Sequence, residues 1–221
     1  MKKVWWKVLA VLLILYTIIS GLLLGVPRLA ILNETIRNLH FHVPMWFGMI
    51  IMLTGSVVYS IKYLRTGKLD FDLKSVELAK AGILFCILGL LTGMLWAKFT
   101  WLEWWSGDPK QNAAAICLLI YLAYLVLRNS LQDELQRAKI SSVYSIFAYA
   151  AMIPLLFILP RMAESSLHPG NGGNPALNFF DSDDQLKIVL YPAVIGWTLM
   201  GVWLAELRVR YKRIEKKLEE N

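Results

Sequence analysis

Six stretches of this chain are too apolar and too free of charge to fold in water. They cover roughly residues 8–26, 43–61, 81–97, 113–127, 140–160 and 188–205. A helix needs about twenty apolar residues to cross a bilayer core of ~30 Å, where every backbone polar group must be satisfied within the segment itself. The fourth run is the shortest and reaches both interfaces only with its polar flanks. Apolar residues make up 57% of the 221 and charged residues 18%. The chain is therefore read as an all-α, polytopic membrane protein with six transmembrane helices, forming a single integral membrane domain over residues 1–221. The first run follows Met1-Lys2-Lys3 and has no Ala-x-Ala-like cleavage site after it, so it is expected to stay as the first helix.

The net charge of +7 is distributed by side. Seventeen of the 23 basic residues fall at Lys2–Lys7, within 62–80, within 128–139 and from Arg208 onward; the other flanks hold only Arg28, Arg37, Lys98, Lys110, Arg161 and Lys187. The positive-inside rule places both termini in the cytoplasm. Two connections then face outward: 96–112, rich in tryptophan, and 161–187, rich in Gly, Asn, Pro, Ser and Asp. The segment between the first two runs is expected to lie along the outer interface as a short amphipathic helix. The stretches 62–80 and 128–139 are expected to be polar inner loops. Cys86 and Cys117 fall inside apolar runs and read as small apolar residues.

Four of the nine tryptophans lie between Trp96 and Asn112. Trp101, Trp104, Trp105 and Asp108 recur at i, i+3, i+4 and i+7, which a helical segment would line up on one face. Tryptophans also anchor membrane proteins at interfaces, a role sufficient for Trp5, Trp6, Trp46, Trp197 and Trp203. Four in one connection exceed what anchoring requires and would make an indole shelf for a flat, amphipathic ligand. Asp108-Pro109-Lys110-Gln111 has the form of a helix start, with Asp108 as N-cap, proline at N1 and glutamine at N3.

The only histidines are His40, His42 and His168, all on the outward side. His42-Val43-Pro44 is expected at the start of the second helix, and His168 in the long outer connection. Paired imidazoles are common axial ligands of haem iron; interfacial histidines without a ligand would give the same topology. His40 is expected at the surface. The centres of the runs carry no ionisable residue, which disfavours an ion or proton pathway, and no phosphate-binding loop or nucleophile–base motif occurs. A membrane b-type cytochrome would need histidines within the spans, where there are none.

These residues together resemble the CcmC family of haem-handling proteins in cytochrome c maturation. The family's tryptophan-rich segment reads approximately W-G-x-W-W-x-W-D-x-R-L; here W-L-E-W-W-S-G-D-P-K-Q matches it at Trp101, Trp104, Trp105 and Asp108. A family histidine in an H-V-P context matches His42, and one in an S-L-H context matches His168. The chain departs at Leu102, where the family has glycine, at Gly107, where it has tryptophan, and at Lys110, where it has arginine. The resemblance implies a protein, not itself an enzyme, in a bacterial inner membrane with its functional loops on the periplasmic side. It would hold haem b as cargo, with His42 and His168 as axial ligands of the iron. Trp101, Trp104 and Trp105 would be the shelf, and Asp108 and Lys110 would lie at the polar edge. Implied partners are the periplasmic haem chaperone CcmE, the ABC transporter subunits CcmA and CcmB, and the small membrane protein CcmD. The nearest other role is a haem lyase subunit of the cytochrome c synthetase type.

Overall fold

A computed structural model describes residues 4–28, 31–169 and 183–219. Among these residues there is no strand, and six helices are long and apolar enough to cross a membrane. They are α1 (Trp5–Leu23), α2 (Leu39–Thr66), α3 (Leu69–Thr100), α4 (Pro109–Ser130), α5 (Glu134–Ile153) and α6 (Asp184–Glu219). A 3₁₀ turn, Asn33–Asn38, leads into α2. A π-helical segment, Pro154–Ile158, and a 3₁₀ turn, Leu159–Arg161, extend α5. The switch from α to π begins at Pro154, because proline has no N–H for the preceding turn.

α2 is the centre of the bundle, packed against α3, α5 and α6; α1 lies against α6, and α4 against α5 and α3. The arrangement follows from where each helix is small or apolar. On α1, Ala10, Ile14, Thr17 and Gly21 are buried at spacings of four, three and four, one stripe facing its neighbour. Leu12, Leu15, Ile19 and Leu22 are exposed, as a lipid-facing surface requires. The main core joins Met45, Met49, Leu53, Phe85, Cys86, Cys117, Tyr121 and Met152. Both cysteines are buried there as free thiols.

The helices overrun the apolar stretches at the end rich in basic residues. The expected loop over 62–80 shrinks to Gly67 and Lys68, with Gly67 at φ 68° closing α2 through its N–H to the Tyr63 carbonyl. The expected loop over 128–139 shrinks to three residues between α4 and α5. Ion pairs explain why polar sequence stays helical here. Arg128 grips Asp72 through two hydrogen bonds of 2.8 and 2.6 Å, the fork geometry of a strong pair. Glu77 is held by Lys80 and Arg208, and Asp70 by Lys74 and Arg213. Hydropathy marks the bilayer core, while these pairs carry α3 and α6 past it.

Candidate functional site

At the other end of the bundle, α2 begins at Leu39, three residues before His42, so His42 occupies the first helical turn and is buried. Its environment comes from α3. Gly93 leaves room for the ring, since a Cβ there would stand 2.8 Å from His42 Cε1. His42 Nδ1 donates to the Gly89 carbonyl at 3.0 Å, with Thr92 Oγ1 a second acceptor at 3.2 Å. Nε2 accepts from the Trp46 indole N–H at 3.1 Å. A carbonyl can only accept and an indole N–H can only donate, so the tautomer is fixed: proton on Nδ1, lone pair on Nε2. Trp46 and Trp96 wall the ring edge-on, each with centroids 5.9 Å away and planes at 77° and 78°. Trp96 also lines a groove of about 240 Å³ with Leu22, Arg37, Asn38, Phe41 and Phe99.

His40 is not at the surface. Because α2 starts earlier than the His-Val-Pro motif indicates, His40 turns inward and is only 2% exposed. Its ring lies against Gly21 of α1 and comes close to the Leu186 backbone, with no well-formed hydrogen bond on either nitrogen.

The tryptophan segment is a loop, not a helix. α3 ends at Thr100, and Leu102 follows at φ 67°, the left-handed conformation in which helices commonly terminate. Trp101, Trp104, Trp105 and Asp108 therefore share no helical face. Trp104 and Trp105 are 51% and 40% exposed, and Trp105 Nε1 donates to Asn112 Oδ1. Gln111 Oε1 accepts from both the amide and the hydroxyl of Ser106, so the loop is fastened back onto α4.

Asp108 is buried and has two duties. Oδ1 accepts from the Lys110 amide at 2.8 Å, the N-cap bond of α4. Oδ2 accepts from the Ser166 hydroxyl and the Leu167 amide, both at 2.7 Å. The His168 amide donates in turn to Ser166 Oγ. The carboxylate thus fastens the Ser166-Leu167-His168 segment to the start of α4. His168 Nδ1 donates to the Pro169 carbonyl at 3.1 Å, which again leaves the lone pair on Nε2. Burial pulls the His168 pKa below the ordinary 6.5, the Pro169 carbonyl opposes this, and the nearby Lys110 charge adds to the lowering. Neutral imidazole is the form that binds metals. His168 is near enough to His42 for the charge of one to bear on the other.

Lys110 turns inward: its ammonium donates to the Leu156 carbonyl and lies 5.5 Å from the Phe157 ring centroid. Leu156 lies in the π-helical segment Pro154–Ile158, and its carbonyl gives the inward-turned ammonium a polar partner away from water. Of the residues singled out from sequence, His42, Trp105, Asp108, Lys110 and His168 have defined partners, and Trp101 and Trp104 lie in the connection that precedes Asp108. Gly89 and Gly93 were missed, Trp46 was read as an interface anchor, and Trp96 and Ser166 were noted only as parts of the tryptophan segment and the S-L-H context. The usable signals were Trp46 four residues after His42, and Gly89 and Gly93 at the same spacing on α3.

Six membrane-length helices with two histidines and a tryptophan-rich loop at one end define a polytopic, helical membrane protein. The chain belongs to the CcmC family, described as heme exporter protein C, matching it over residues 1–221. That family handles haem in cytochrome c maturation. The chain is similar to heme exporter protein C of Rhodobacter capsulatus, at 26% identity over 97% of this chain and 88% of that protein. It is also similar to heme exporter protein C of Haemophilus influenzae, at 23% identity over 83% of this chain and 74% of that protein. A shorter match, 39% identical, joins 38% of this chain to 27% of the cytochrome c biogenesis protein CcsA of Pelargonium hortorum; the match thus spans about a quarter of that relative's length.

Proposed function

We propose that this protein holds haem b as cargo at the histidine-bearing end of its bundle and passes it to a periplasmic haem chaperone of the CcmE type. His42 and His168 are the axial ligands. Trp101, Trp104 and Trp105 give the macrocycle an apolar surface. Asp108 works by holding His168 in place. Lys110, turned toward Leu156, balances charge at the edge of the site. The protein is an integral part of the bacterial inner membrane, as one domain over residues 1–221, with both termini cytoplasmic and the loops over 96–112 and 161–187 periplasmic. It works beside the ABC transporter subunits CcmA and CcmB and the small membrane protein CcmD.

The observation that carries this reading is the shared tautomer. Each histidine gives its Nδ1 proton to a backbone carbonyl, the outer-shell arrangement that orients a metal-binding imidazole and leaves Nε2 for the metal. The test is an absorption spectrum and pyridine-haemochrome assay on detergent-purified protein, comparing wild type with His42→Ala and His168→Ala. A Soret band lost or shifted in each variant, with membrane insertion intact, is the expected result. Full haem content and full cytochrome c maturation in both variants would reject the ligand assignment. The local similarity to CcsA favours a second role, a haem lyase subunit of the cytochrome c synthetase type. Thioether formation on an apocytochrome by this protein without other maturation factors would establish it.

A further inference from the structure

His42 has one lone pair to offer iron, and Trp46 already occupies it. The indole N–H lies 3.1 Å from Nε2, one helical turn along α2 from the histidine. α3 is bare where the indole rests: a Cβ on Gly89 would come within 2.9 Å of the ring. The imidazole is fixed from its other side by the Gly89 carbonyl and Thr92, so it cannot rotate to offer a different nitrogen. An imidazole nitrogen has a single lone pair in the ring plane. A metal–imidazole bond of about 2 Å along that direction leaves no place for a donor on the same line. The indole has to leave Nε2 before iron binds there.

Resting on the reading that His42 ligates haem iron, we infer that Trp46 is a latch that competes with iron for His42 and so speeds haem release. When the Fe–Nε2 bond breaks, the indole N–H moves onto the freed lone pair and satisfies it. When haem returns, that hydrogen bond breaks and the Fe–Nε2 bond forms. No proton or electron changes hands, because the imidazole stays neutral with its proton on Nδ1 in both states. A buried acceptor left bare after dissociation would favour recapture of iron; the latch removes that bias. Trp46 is a positioning residue here, since it acts on the cargo only through His42.

The direction of the effect separates a latch from simple packing. Removing packing around a ligand loosens it, whereas removing a competitor for its ligating atom tightens it. The experiment loads the full-length protein in detergent with haemin and follows transfer to excess apomyoglobin in wild type, Trp46→Phe, Trp46→Met and His42→Ala. Phe and Met both lack the donor, and Met fills irregular space by flexing, so the pair guards against one variant failing to fold. The expected result is release about fivefold slower from both donor-less variants, the weight of one ordinary hydrogen bond, with the wild-type Soret position retained. Release at the wild-type rate or faster, with His42→Ala still losing haem, overturns the latch and leaves the haem site standing. If His42→Ala holds haem like wild type, the ligand assignment itself fails and the latch with it.

Discussion

Replacing Asp108 by asparagine separates its two duties almost atom by atom. Asparagine is a good N-cap, and its carbonyl oxygen can keep the bond now made at 2.8 Å to the Lys110 amide. Its NH₂ group then stands where Oδ2 receives the Ser166 hydroxyl and the Leu167 amide, each at 2.7 Å. The hydroxyl can rotate and become the acceptor, but the Leu167 N–H faces a donor. Losing one hydrogen bond to a buried carboxylate costs about 1.5–3 kcal/mol. At about 2 kcal/mol, the docked Ser166-Leu167-His168 segment becomes roughly 30-fold less populated relative to its undocked state. Deuterium exchange by mass spectrometry reads this directly. The Leu167 and His168 amides should exchange roughly 30-fold faster in Asp108→Asn, while the first turn of α4 keeps its protection. Asp108→Ala should add about 1 kcal/mol of lost capping and loosen α4 as well. Less than a threefold change at Leu167 and His168 in Asp108→Asn would refute the claim that this carboxylate holds the histidine in place.

Three further outcomes follow from the geometry. Gly93→Ala places a methyl 2.8 Å from His42 Cε1, and such overpacking costs about 1–3 kcal/mol; a lower melting temperature and less bound haem are expected, and an unchanged protein would mean that His42 has room to move. Leu102→Gly relieves a non-glycine residue held at φ 67° and should stabilise by about 1 kcal/mol, read as a rise in melting temperature; a fall would show that the exposed leucine side chain makes a contact worth more than the strain. For His168, whose pKa lies below 6.5 in the folded protein, the unfolded chain takes up a proton first as pH falls, so stability is full above about pH 6.5 and declines below it. Haem content and melting temperature should stay flat from pH 8 to 6.5 and drop only on further acidification, and a loss already complete at pH 7 would contradict a neutral, buried imidazole.

Each spanning helix was legible because a bilayer demands long uncharged runs, and six such runs leave few other folds. What hydropathy could not show was where helices end. At the basic end, Asp72–Arg128 and Glu77–Arg208 pairs make charged sequence helical, and a partner some 50 to 130 positions away is invisible to a local window. At the other end the error ran in the opposite direction. Trp101, Trp104, Trp105 and Asp108 have helical spacing, yet the chain leaves the helix at Thr100 and turns through Leu102. The position where the family carries glycine, and this chain leucine, needs a left-handed backbone, so that departure was itself the clue to a helix stop. Gly107, where the family carries tryptophan, is also left-handed, at φ 74°; the loop here spends that residue on a turn instead of an indole. His40 and Trp46 were misjudged for a common reason. Both depend on which way α2 faces, and that is set by α1, α3 and α6 rather than by residues nearby in sequence.

The two histidines are mounted on frames of unequal stiffness. His42 belongs to a 28-residue helix and is braced by the backbone of a second one, whereas His168 sits in a short segment that Asp108 fastens through a hydroxyl and an amide. A grip with one rigid jaw and one hinged jaw opens in a set order. On the proposed ligation, the hinged side lets go first and the rigid side keeps the haem oriented, so any protein that tugs the Ser166–His168 segment away from Asp108 works the handle without touching the bundle.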